Sequence, residues 1–216
     1  MKNKYTISLL LLACISGAAS AAKPDARNQK TLETALSKYL ADRGDLCLAK
    51  YDWPIDVSAA DMEIGTRDAT QLPVLEKLGL VTSTSGTVQR KVDEVEDAIP
   101  AKRYELTEMG RSFYLEKDMA ITSASGKTVQ HHGDFCAGRL FLNKIVAWDK
   151  PNDRDAQKET TVTYIYKFAA ADWARDPEAR KVFPMVDRML KGEGNLQLQQ
   201  RFRQVGKTWV AVSSLQ

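Results

Sequence analysis

Two cysteines, Cys47 and Cys136, constrain this chain more than any other residues. They are the pair that remains once the first 21 residues are set aside as a leader, which also carries Cys14. An even pair in an oxidising compartment forms one disulfide. Such a bond brings together two segments from opposite halves of the chain. It closes a loop of about 90 residues, worth roughly 4 kcal/mol in the chain-entropy model.

The leader follows from residue order. Lys2 and Lys4 precede an apolar run over residues 7–15, and Ala19-Ser20-Ala21 ends it with small side chains. That layout belongs to a secretory signal peptide cut after Ala21. The run is shorter than the roughly 20 residues a spanning helix needs. Leu11-Leu12-Ala13-Cys14 resembles a bacterial lipobox, so a lipoprotein anchored through Cys14 is the alternative processing. The expected protein is periplasmic or secreted, without a transmembrane segment. The whole chain has 31 Lys+Arg and 28 Asp+Glu, and removing Lys2 and Lys4 leaves 29 against 28. A net charge near +1 gives no general attraction to phosphate backbones or anionic lipid.

The periodicities predict an α+β fold, with a helical N-terminal half over residues 22–120 and an antiparallel β half plus one helix over 121–216. Leu32, Ala35, Leu36, Tyr39 and Leu40 make one stripe of a helix over residues 28–42, with Gly44 past its end. Residues 46–49 read as a short strand. Thr70 caps a second helix with Leu72, Leu75 and Leu78 on one face. Residues 80–88 read as a strand, the charged residues 89–103 as a solvated loop, and 104–106 as another strand. Thr107 caps a helix through Leu115. In the second half, residues 139–148 and 160–168 form a hairpin with a long polar loop. Asp176 and Pro177 start a helix that Pro184 kinks, and residues 196–205 and 208–212 form a hairpin around Gly206-Lys207.

Leu78-Gly79-Leu80-Val81, followed later by Leu106-Thr107-Glu108-Met109-Gly110, resembles the end of a winged-helix domain, where a helix steps into a two-stranded wing. The resemblance covers roughly forty residues, over 70–115, and implies a fold rather than an activity. The helix over residues 71–78 has no arginine to read guanine edges, and the wing would be acidic at Asp93, Glu94, Glu96 and Asp97. Nucleic acid is therefore not an expected partner.

Candidate chemistry is sparse. His132, Asp134 and Cys136 would share one face of a strand, within reach of one zinc ion or as a Cys–His pair. Gly133 argues for a turn there, and a disulfide to Cys47 withdraws the thiol. His132 and Asp134 remain the candidate metal ligands, and no cofactor is expected. Trp148, Tyr164, Tyr166, Trp173 and Trp209 concentrate aromatics in the second half, either as core or as a stacking platform for a ligand. No phosphate loop, dinucleotide fingerprint or Gly-x-Ser-x-Gly motif occurs. The expected function is a non-enzymatic binding or interaction protein for an unknown envelope protein or small ligand. The alternative is a cell-envelope hydrolase or metal-binding enzyme built on the His132/Asp134 region.

Overall fold

The computed structural model describes residues 26–92, 95–150 and 158–212. Residues 1–21, expected as a leader and including Cys14, lie outside them, as do Asp93 and Glu94. The elements are α1 (Ala26–Arg43), β1 (Asp45–Cys47), β2 (Ile55–Ser58), α2 (Ala59–Ile64), α3 (Arg67–Lys77), β3 (Val81–Val92), β4 (Val95–Leu106), α4 (Glu108–Arg111), β5 (Tyr114–Thr122), β6 (Thr128–Trp148), β7 (Glu159–Ala170), α5 (Pro177–Val182), α6 (Pro184–Gly192), β8 (Gln197–Val205) and β9 (Thr208–Ala211). A 3-10 turn over Asp172–Arg175 precedes α5.

The larger sheet runs β1-β6-β7-β8-β9, with β5 pairing to β6 off that path. The smaller is β2-β4-β3, and every pairing is antiparallel. The 21-residue β6 joins the two halves of the chain. Its first half pairs with β5, its middle with β1 and its second half with β7. α1 lies on the inner face of the larger sheet, where Leu32, Leu36 and Leu40 are buried and Tyr39 meets Phe202 edge-on at 6.4 Å. Val162, Tyr164, Tyr166 and Phe168 supply that face of β7, and Tyr166 donates its hydroxyl to the Met189 carbonyl of α6 at 2.8 Å. One hydrophobic cluster takes in Leu72, Leu75 and Val81 as well as Phe202 and Ala211.

The fold class needs correction. The chain is α+β but sheet-dominated throughout, not a helical half followed by a sheet half. Among the described residues five strands begin before residue 121. Of residues 89–103, expected as a loop, 89–92 and 95–103 belong to the strands β3 and β4, paired from Val81↔Leu106 to Val92↔Val95. The segment that resembled a winged helix holds α3, this hairpin and the single turn α4, with β2 added to β4 and β5 following. Thr107 does cap α4, accepting from the Gly110 amide at 3.0 Å. The helix nevertheless stops at Arg111 instead of reaching Leu115. Gly110 packs so closely on Leu80 that a Cβ there would lie 1.9 Å from the Leu80 carbonyl oxygen. Residues 131–136, expected as a turn because of Gly133, are continuous strand. Gly133 lies under the Tyr114 ring, where a Cβ would come within 2.6 Å. Thr66, not Thr70, caps α3, and Pro184 opens α6 rather than kinking a longer helix.

Candidate functional site

A cleft of about 970 Å³ opens between the end of α1, β1 and β5. Asp42, Arg43 and Asp45 line one side, and β5 from Leu115 to Ile121 lines the other. Cys47, Tyr51 and Asp134 complete its surface. Its shape follows from local chain geometry. Gly44 ends α1 by donating to the Leu40 carbonyl at 2.8 Å and accepts from the Leu140 amide at 2.8 Å. A Cβ at Gly44 would sit 2.4 Å from the Leu40 oxygen and 2.7 Å from the Leu140 oxygen, so only glycine lets α1 turn into β1 this close to β6. Asp45 then faces Arg139 across the β1–β6 pair and takes its guanidinium with both oxygens, at 2.7 and 3.0 Å.

The opposite wall bends at an irregularity between Glu116 and Met119 of β5. Such a bulge breaks strict alternation, and the adjacent side chains of Lys117 and Asp118 both line the cleft. Lys117 reaches across to the Asp42 carbonyl at 2.7 Å, placing a cation at the C-terminus of α1, where the helix dipole favours it. Asp118 pairs with exposed His132 at 2.7 Å. Asp42, Asp45 and Asp118 stand here with Arg43 and Lys117, Asp45 paired with Arg139 and Asp118 with His132, around an apolar strip from Leu115, Met119 and Ile121.

Behind the cleft lies a polar network. The buried carboxylate of Asp134 accepts the backbone amides of Lys50 at 2.8 Å and Ala49 at 3.1 Å. Burial pushes its pKa up, opposed by these amides and by nearby Lys50. Ala49 adopts a left-handed conformation, with φ 55°, that alanine rarely takes. The Lys50 side chain is fully buried and donates to Asp68 and, at 2.8 Å, to Gln71. Burial lowers its pKa, while Asp68 opposes that shift. Gln71 in turn donates to the Val182 carbonyl at 2.9 Å, tying α3 to α5. Tyr51 stacks on His131 at 4.3 Å, and His131 pairs with Asp52 at 2.8 Å.

The sequence candidates fall into three groups. Cys47 and Cys136 lie opposite each other on β1 and β6, with their sulfurs at a bonding distance of 1.98 Å. His132 and Asp134 have separate surroundings: His132 is on the surface beside Asp118, and Asp134 is inside, committed to backbone amides. Among the described residues no three His, Cys, Asp or Glu side chains are grouped to hold a metal ion. Tyr164, Tyr166 and Trp173 are buried core, and Trp148 and Trp209 are half-buried against it. Trp173 packs on Phe113, Phe135 and Phe183 at ring separations of 5.6–6.2 Å. These rings form the interior instead of presenting a common stacking surface. Asp42, Lys117, Asp118 and Lys50 carried no signal in the sequence, because the cleft draws on three distant segments with no motif of their own. No family model, curated protein or solved structure matches the chain.

Proposed function

We propose that this chain is an exported, non-enzymatic binding protein that uses the α1–β1–β5 cleft to hold a positively charged ligand with an apolar body. The observation that carries this reading is the composition of the cleft. Asp42, Asp45 and Asp118 outnumber Arg43 and Lys117 in its lining, while Tyr51, Leu115, Met119 and Ile121 offer apolar contact. Concave sites of this size suit small ligands and short peptide segments. Export is supported by the leader over residues 1–21 and by the Cys47–Cys136 pair, since disulfides persist outside reducing compartments. Among the described residues no helix is long and apolar enough to cross a membrane. A hydrolase built on His132 and Asp134 has less support, because the two side chains serve different partners.

Calorimetry with a leucine–lysine tetrapeptide, and with its leucine–glutamate counterpart as control, tests the proposal. The lysine peptide should bind and the glutamate peptide should not. Asp42→Asn with Asp118→Asn should weaken binding roughly tenfold, since exposed charge pairs contribute up to about 1 kcal/mol each. Equal binding of both peptides, or no binding of either, contradicts it.

A further inference from the structure

The outer face of the larger sheet carries exposed charges that the cleft does not use. Along β7 the side chains of Val162, Tyr164, Tyr166 and Phe168 turn inward, so Thr161, Thr163, Ile165 and Lys167 turn outward. Register places Phe141 and Lys144 of β6 opposite Lys167 and Ile165, and Gln199 and Arg201 of β8 opposite Thr163 and Thr161. All these outward residues are exposed or half-exposed except Ile165.

Charge on this face is lopsided. Arg139 and Arg203 are neutralised by Asp45 and Glu159. Lys144, Lys167 and Arg201 are exposed and form no ion pair with a described residue. Three uncompensated cations thus share one side of a chain whose net charge is near zero after leader removal. They are also spread out. Lys167 and the row of Arg201 are six residues apart along β7, about 20 Å at roughly 3.3 Å per residue. A small anion spans no such distance; an extended polyanion does. Between the charges lie hydrogen-bonding groups, Gln199 donating to Thr163 at 3.3 Å, and one aromatic ring, Phe141, 48% exposed. A stable protein–protein interface needs a more apolar centre than this. Amides, hydroxyls, separated cations and one open ring match a chain of sugars bearing carboxylates.

We infer that the outer face, through Lys144, Lys167, Arg201, Thr163, Gln199 and Phe141, binds an extended acidic polysaccharide. Its carboxylates meet the cations, its hydroxyls meet the threonine and glutamine, and one sugar ring lies on Phe141. This surface is separate from the cleft, and a failure of either proposal leaves the other standing.

Binding of the full exported protein to alginate, a polyuronate, tests the inference, with neutral dextran and poly-L-glutamate as controls. Alginate should bind at low salt and be released near 0.5 M salt, where the Debye length falls below about 5 Å. Dextran should not bind, and poly-L-glutamate should bind at least tenfold more weakly than alginate. Lys144→Gln/Lys167→Gln/Arg201→Gln together should weaken alginate roughly tenfold or more, with an unchanged melting temperature. Asp42→Asn/Asp118→Asn should leave it unchanged. Should the triple variant fold poorly, Lys167→Gln and Arg201→Gln are measured singly, each with a smaller loss in the same direction. Absence of alginate binding, poly-L-glutamate binding as tightly, or charge variants that bind like wild type would each overturn the proposal.

Discussion

The carboxylate of Asp134, on β6, accepts the backbone amide of Lys50 at 2.8 Å, and its other oxygen takes the amide of Ala49. One buried side chain thereby satisfies two adjacent donors and holds the left-handed turn at Ala49 against the sheet. Removing it leaves two amides near a low-dielectric interior, each costing about 1–3 kcal/mol if unpaired. Asp134→Ala should lose roughly 2–4 kcal/mol in urea unfolding. A loss below about 0.5 kcal/mol would show that water replaces the carboxylate freely.

Lys50 is the reverse case, a cation with its whole side chain buried beside Asp68 and Gln71. Breaking a buried pair costs about 3–5 kcal/mol, but Asp68 is 44% exposed and can be rehydrated. Lys50→Met, which keeps the stem's packing, should lose about 2 kcal/mol. The variant should also loosen the link from α3 to α5, seen as faster amide exchange in Pro177–Val182. Unchanged stability and exchange would remove Lys50 from the framework.

Asp56 and Arg103 join β2 to β4 by two hydrogen bonds of 2.8 Å at directly opposed positions. The bonded guanidinium holds the Asp56 carboxyl below the ordinary carboxylate range. A carboxyl whose folded pKa is lowered contributes stability that is present above its unfolded value, near 3.9, and is lost as pH falls through the folded value. Asp56→Asn should therefore cost about 0.5–1 kcal/mol near neutral pH. The gap from wild type should close as pH falls through the lowered folded value. A gap constant with pH would mean that the pair acts through shape and not charge.

The periodic elements were legible from the chain alone. The leucine stripe of α1, expected over 28–42, spans Ala26–Arg43. The alternation of β7, the Asp176 cap of α5 and the turn at Gly206-Lys207 also stand where their patterns placed them. Of the β3–β4 hairpin, residues 80–88 and 104–106 read as strands, but its extension through 89–92 and 95–103 was not legible, because the charged sequence there carries no one-sided pattern. Gly133 misled for a related reason. It was read as a local turn preference, whereas it is required by a close approach from a distant residue, Tyr114. The cleft was the least legible part. Asp134 was singled out as a metal ligand because of its neighbours in sequence. Its role is set instead by the amides of residues 49 and 50, which only the β1–β6 pairing brings near.

An exported chain that closes Cys47 to Cys136 beside its cleft is tested on both counts by one measurement. Protein purified from the envelope or medium is denatured without reductant, treated with a thiol-alkylating maleimide and weighed intact. The expected mass is that of residues 22–216, less two hydrogens, with no label. A mass that retains the leader, or a chain labelled at both Cys47 and Cys136, would contradict it.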